Sequence, residues 1–596
     1  MKIRRARQET QAGVTSRPAV IDPPLGMRRE SGPLVGELLV AKGAIDTRTL
    51  ADLLLSQTGT GRRLGAILLE QKLISEADLT SALSTQLRIP AIDLRRIRPS
   101  IEALALISES VARNLEIIPT ELGTDALGDD VLSVVVADPL DERLPGVLRA
   151  IPVATVRVLI APLTQVRDSI NSSYRALSSI GEFVDGYRSN VPTPTRAEPT
   201  TVVEGGVDAP VIEVVNRLVM QALRDRASDI HLEPGPDHMR IRYRIDGALN
   251  EVVQLPTAIG PAVISRLKIM ADMNIVEKRR PQDGQFQTMV DGREVDVRVA
   301  TTATIFGEKA VLRLLDKTRS TFSLGDLGMP AEGRETYERI VHSPYGMVIV
   351  AGPTGSGKTP TLYATLSQLA RPEVNVMTIE DPVEYIFPEI NQIEINTQAD
   401  VTFATGLKSI LRQDPDVILV GEVRDAETAR IAVQSALTGH LVLSSIHATD
   451  AASALYRLLD MGIEQFLVSS ALTGVVAQRL VRRNCDSCQV AYAPPAHEIS
   501  YFEESGGSEG AVFRKGEGCE YCAGTGYRGR VGVYEILTVN DEVRFALVNG
   551  STPQELRALC KKLGMRTLRD EAIRLIEEHV TTIAEVMRTI YTIGAD

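Results

Sequence analysis

The chain has 596 residues, 44% hydrophobic and 24% charged, with a formal net charge of −12. That length calls for several domains, and the composition is ordinary for a globular protein. The acidic balance argues against a dedicated nucleic-acid binder, and no apolar run is long enough to cross a bilayer.

Met1-Lys2-Ile3-Arg4-Arg5 is basic, but no apolar stretch follows, so no signal peptide is expected. Residues 1–30 are polar and aperiodic, and are expected to be disordered. Residues 31–96 read as short helices with an internal repeat. Leu34-Val35-Gly36-Glu37-Leu38-Leu39, then Leu50, Leu54 and Gln57, recurs as Arg63-Leu64-Gly65-Ala66-Ile67-Leu68, then Leu79, Leu83 and Gln86. Residues 97–175, with an apolar β-branched run at 131–136, are expected to form a small α/β module. Residues 176–207 carry Val191-Pro192-Thr193-Pro194-Thr195 and read as a linker. Over 208–320, helical spacing places Val214, Val215, Leu218, Val219 and Leu223 on one face, followed by strands at 239–245 and 295–301. From about 341 the pattern becomes strand, glycine loop, helix, repeated, which predicts an α/β domain with a largely parallel sheet.

Gly352-Pro353-Thr354-Gly355-Ser356-Gly357-Lys358-Thr359 fits the phosphate-binding loop pattern in full. It follows the apolar strand 347–350 and precedes a helical run at 362–369, the context the motif needs. The glycines turn backbone N–H groups toward phosphate oxygens. Lys358 brings a charge to the β- and γ-phosphates of ATP, and Thr359 offers a hydroxyl to Mg²⁺. Pro360 is unusual here: its missing N–H matters little in a first helical turn, but it disfavours helical dihedrals at Thr359.

Three further apolar strands, 374–379, 417–420 and 441–443, adjoin polar residues. In a parallel sheet, ligands sit beyond the carboxyl ends of the strands. Hydrolysis needs a base or a water-positioning group near the γ-phosphate. Glu422 is the first candidate, with Glu380 and Glu384 as rivals, and His440 and His447 as either catalytic or structural. Cys485-Asp486-Ser487-Cys488 and Cys519-Glu520-Tyr521-Cys522 have the spacing of a four-thiolate Zn²⁺ site of the structural type. Cys560 lies in a helical pattern and reads as an apolar filler.

These residues resemble those of the secretion and type IV pilus assembly ATPases. The phosphate loop is similar to the family's Walker A, and residues 378–384 to its Asp box. Asp414-Pro415-Asp416-Val417-Ile418-Leu419-Val420-Gly421-Glu422 resembles its Walker B, and residues 439–449 its His box. Ser228-Asp229-Ile230-His231-Leu232-Glu233-Pro234, residues 240–247 and residues 277–285 resemble its second N-terminal domain. Pro360 and Gln285 depart from the family's usual residues. The resemblance implies a multidomain α/β protein. A RecA-like core (321–480) follows a PAS-like domain (208–320), with a zinc-knuckle region (481–535) and a C-terminal helical region (536–596) after it. It implies a homohexamer with arginines of 208–320 reaching the γ-phosphate, Arg279 and Arg298 among them, with Arg280 and Arg313 as further candidates. It also implies a cytoplasmic motor brought to the inner face of the cytoplasmic membrane only through partners: a platform protein and a cytoplasmic recruitment protein. The repeat at 34–95 resembles a tandem cyclic-di-GMP-binding module, although Leu34 stands where that module has arginine; a helical docking module is the alternative. Two other readings use the same core: a nucleic-acid translocase, against which the charge balance speaks, and a non-motor nucleotide sensor.

Overall fold

The computed structural model describes residues 20–22, 33–57, 63–125, 128–174, 208–290, 293–316 and 323–590. The expected linker 176–207 and most of the expected disordered stretch 1–30 lie outside them. The chain forms two compact units, one of Met1–Arg175 with Cys519–Gly524, the other of Ala176–Gly518 and Thr525–Asp596. Among the described residues no helix is long and apolar enough to cross a membrane.

In the first unit the repeat folds as two helix pairs, Val35–Ala41 with Thr47–Gln57 and Leu64–Glu70 with Glu76–Leu87. A Cβ on Gly36 would come within 2.6 Å of the Leu50 side chain, and one on Gly65 within 2.8 Å of Leu79. The glycines therefore let the two helices of each pair close together, over a core that includes Leu39, Leu53 and Leu68. Beside the pairs, β1 (Val20–Asp22), β2 (Ile117–Thr124), β3 (Asp130–Val136) and β4 (Thr155–Ile160) form a sheet in the order β1-β4-β3-β2. Strand β1 corrects one expectation. Ile21, in a stretch expected to be disordered, is buried where β1 pairs in parallel with β4.

The second unit opens with the helix Asp208–Arg224, whose buried residues Val211, Val214, Val215, Leu218 and Val219 pack on an antiparallel sheet. Its strands are β5 (Ala227–Pro234), β6 (His238–Ile245), β7 (Ala248–Pro256), β8 (Gln282–Val290), β9 (Arg293–Thr304) and β10 (Gly307–Asp316), ordered β7-β6-β5-β10-β9-β8. Tyr243 is fully buried there, and its hydroxyl donates to Leu218 O at 2.7 Å.

The core sheet comprises β11 (Gly346–Ala351), β12 (Val376–Glu380), β13 (Asn391–Glu394), β14 (Val417–Val420), β15 (Leu441–Ile446), β16 (Leu472–Asn484) and, after the short pair β17 (Gln489–Tyr492) and β18 (Phe513–Gly516), β19 (Tyr527–Thr538). The order is β13-β12-β14-β15-β11-β16-β19. All are parallel except β19, which runs antiparallel to β16. Every residue of β11, β14 and β15 is buried, because helices cover both faces of a parallel sheet. The expected domain limits at 480 and 535 fall inside β16 and β19. The cysteine pattern drew those limits toward itself, whereas the two strands pair across the whole segment that separates them.

Candidate active site

The parallel strands of the core end on one edge, and the loops after β11, β12, β14 and β15 meet there. Gly352–Gly357 carries the chain from β11 into the helix Lys358–Leu369. Gly355 and Gly357 take left-handed φ values of 77° and 89°, which residues with a Cβ disfavour. Lys358 Nζ lies across the loop, donating to Gly352 O at 2.9 Å and Pro353 O at 3.1 Å. Burial pulls its pKa below the usual lysine value, against the opposing pull of Glu422. Thr359 is exposed beside it. Behind the loop, the buried Gln478 donates from Nε2 to Ser356 O at 2.8 Å. Its neighbour Arg479 reaches the opposite way, donating to Thr449 O at 2.7 Å.

Glu422 follows β14. Gly421 before it is pinned by N–H donation to Ile379 O and by the Ser445 hydroxyl on its own carbonyl, both at 2.8 Å. A Cβ on Gly421 would lie 3.3 Å from Ile379 O and 3.4 Å from Glu380 Cα. A side chain at 421 would therefore press on the backbone of β12. The Glu422 carboxylate pairs with Arg424 and lies 3.7 Å from His447 Nε2. Burial and the Lys358 charge hold the His447 pKa below its usual value, with Glu422 opposing. Lys358, Glu422, Arg424 and His447 thus form one electrostatic group.

The other candidates divide. Glu380 is buried and already accepts from Tyr363 Oη, from Thr378 Oγ1 at 2.7 Å and from Gln392 Nε2 at 3.1 Å. Its lone pairs are committed to the fold. Glu384 lies 3.8 Å from the Arg298 guanidinium. Arg279 is 90% exposed, its N–H held by Glu277. Arg313 pairs with Asp229 at 3.2 Å. His440 is a correction. It precedes β15 while His447 follows it, so the length of the strand, roughly 20 Å, puts His440 at the edge away from the phosphate loop. There its Nδ1 contacts Ser435 O at 3.0 Å. Arg424, Gln478 and Arg479 were not singled out from sequence. The one available signal was a Gln-Arg pair inside the apolar run 475–481.

The four expected cysteines converge: the Sγ atoms of Cys485, Cys488, Cys519 and Cys522 all lie within 4.8 Å of one another. Cys519 Sγ and Cys522 Sγ are 3.7 Å apart, against an edge of about 3.8 Å for a tetrahedron with Zn–S near 2.3 Å. Both C-x₂-C turns close alike, Cys488 N to Cys485 O and Cys522 N to Cys519 O at 3.2 Å each. The donor set fits structural Zn²⁺. Cys560 is buried, and burial pushes its thiol up to about 11. In the repeat, Arg63 pairs with Asp138 and donates to Leu140 O at 3.0 Å.

A glycine loop between a buried parallel strand and a helix, with its lysine beside an acid from a neighbouring strand end, defines a P-loop nucleoside triphosphatase. Residues 205–588 match the family model described as type II/IV secretion system protein, and residues 87–180 match the MshEN domain model. The chain belongs to the type II/IV secretion system protein family. It is a secretion or pilus-assembly ATPase, a multidomain α/β protein with a RecA-like core and an N-terminal MshEN-type domain. It is 38% identical over 568 residues to the type IV pilus assembly ATPase PilB of Myxococcus xanthus, covering 93% of this chain and 98% of that one. It is 44% identical over 455 residues to the type II secretion system protein HxcR of Pseudomonas aeruginosa, covering 75% and 93%. It is 44% identical over 424 residues to the type II secretion system protein E of Dickeya dadantii, covering 71% and 83%. The MshEN match begins at 87, so it falls on the α/β module and leaves most of the helical repeat outside.

Proposed function

We propose that this ATPase works as a homohexameric motor at the cytoplasmic face of the inner membrane, driving type IV pilus assembly or type II secretion. A platform protein in that membrane and a cytoplasmic recruitment protein are its partners in this reading, and nucleic acid is not. The observation that carries the chemistry is the placing of Glu422 and His447, 3.7 Å apart, after β14 and β15, the second and first strands from β11 on one side of the sheet. Loop N–H groups and Lys358 hold the ATP phosphates. Glu422 takes the proton of the water that attacks the γ-phosphate, with His447 and Arg424 fixing its carboxylate. Mg²⁺, when bound, neutralises charge on the β- and γ-oxygens, and Thr359 is the residue that would ligate it. Glu380 has a scaffold role, bracing the loop after β12. Arg279, 90% exposed although 3.5 Å from Glu277, is the arginine this reading favours for serving a neighbouring subunit. Zn²⁺ on the four cysteines is structural.

Glu422→Gln tests the assignment. Nucleotide affinity is expected to hold while phosphate release falls by about 10²–10⁴. Turnover within a few-fold of the parent protein would remove Glu422 from the role. For the repeat we favour docking over cyclic-di-GMP binding, because both glycines are filled by leucine and Arg63 is engaged by Asp138. Calorimetric titration of the full chain with cyclic-di-GMP should therefore show no heat; saturable heat would reverse this reading.

A further inference from the structure

Glu535 is a buried carboxylate on β19 with no part in the chemistry described so far. One oxygen accepts from Ala451 N at 2.8 Å and the other from Leu568 N at 3.2 Å. These are the first residues of two ten-residue helices, Ala451–Asp460 and Leu568–Glu577. Their N-caps, Asp450 and Thr567, already serve Ser453 N and Asp570 N. Glu535 thus takes the first-turn donors that the caps leave over; burial pushes its pKa up to about 7, against the pull of the Ala451 N–H.

The corner at 449–451 is caught three times. Arg479 on β16 holds Thr449 O at 2.7 Å. Arg557, from the helix Pro553–Lys562, holds the Asp450 carboxylate at 3.0 Å. Glu535 holds Ala451 N. All three anchors come from the chain after residue 472, yet the corner lies only two residues beyond His447. Gln478 holds the phosphate loop from the other face of the sheet, because neighbours on a strand point opposite ways. The position of His447 and that of the phosphate loop are therefore set by separate contacts.

We infer that Glu535 is a positioning residue for hydrolysis: with Arg479 and Arg557 it fixes the 449–451 corner and so holds His447 against Glu422. The inference rests on the catalytic reading of Glu422 and His447 given above. It makes the C-terminal helices part of the hydrolytic apparatus, because a shift of the 553–562 or 568–577 helix reaches His447 through this corner.

The test is steady-state ATP hydrolysis by the full chain carrying Glu535→Gln, His447→Ala or both. A glutamine offers one acceptor and turns an NH₂ group toward the other N–H donor, so the corner loses an anchor. Glu535→Gln is expected to lower kcat by about tenfold to a hundredfold, the usual result of displacing a catalytic group by about 1 Å, with KM for ATP within about twofold. In the His447→Ala background it should have no further effect. Glu585→Gln is the structural control: Glu585 is also buried, but its partners are Arg482 and Arg588, away from the corner. It should lower the melting temperature without that split between kcat and KM. If Glu535→Gln does not fold, Arg557→Ala carries the same test. Unchanged kcat, or an undiminished loss in the His447→Ala background, overturns the inference alone. Wild-type turnover of His447→Ala overturns the catalytic reading beneath it.

Discussion

Pro360 occupies the third position of the phosphate-loop helix, where a backbone N–H has no intrahelical acceptor, and the first internal bond is Thr361 N to Gly357 O at 3.3 Å. The proline therefore removes nothing the helix uses, and the helix still begins at Lys358. The loop's rigidity comes from behind. Gln478 reaches Ser356 O from β16, and a Cβ on Gly357 would lie 3.0 Å from its amide nitrogen. Gln478→Ala leaves that carbonyl without its donor, a loss of about 1–3 kcal/mol for a buried group. Nucleotide affinity is expected to fall by about tenfold, read by fluorescence titration; unchanged affinity would show that the loop holds its shape unaided.

At the scale of elements, β11, β14 and β15 were legible in the sequence because burial on both faces leaves an unbroken apolar run. Strand β19 was not legible: its start, Tyr527-Arg528-Gly529-Arg530, reads as a loop, and its partner β16 lies far upstream. The same limit misplaced His440. A strand flanked by two histidines does not reveal which end faces the ligand until the direction of the sheet is known. Glu422 needed no such knowledge, because the phosphate loop and the 417–420 strand share an order of apolar strand followed by polar turn. Arg424 and Arg479 escaped because their partners, Glu422 and Thr449 O, meet them only through the fold. In the antiparallel sheet, Glu233 on β5 gathers Arg240 and Arg242 from β6 and Lys309 from β10. Burial raises its pKa, but Arg242 and Lys309 outweigh burial and hold it at about 2. The folded carboxylate binds a proton less readily than the unfolded one, whose value is 4.5. The stabilisation from this cluster is therefore full above pH 4.5 and disappears as pH falls from there toward 2, by about 3 kcal/mol as an upper bound. Glu233→Gln should flatten the acid limb of a denaturation curve over that interval; an unaltered limb would assign the acid sensitivity elsewhere.

For the molecule as a whole, about one Zn²⁺ per chain is expected by metal analysis, falling to near zero in Cys485→Ser with Cys519→Ser. Chelation should lower the melting temperature, and a metal-free protein with unchanged melting and turnover would show the four thiols to be idle. The topology adds a mechanical point. Strand β16 pairs with β11 only as far as Ala477; from Gln478 to Asn484 its strand partner is β19. This ribbon of about 20 Å is braced by the C-terminal helices, with Arg482 on the buried Glu585 and Asn484 N donating to Val580 O, and it ends at Cys485. Gln478 and Arg479, which grip the phosphate loop and the His447 corner, sit where the ribbon parts from β11. A load entering at the Cys485 end would be shared with the C-terminal helices through Glu585 and Val580 before it reached Gln478 and Arg479.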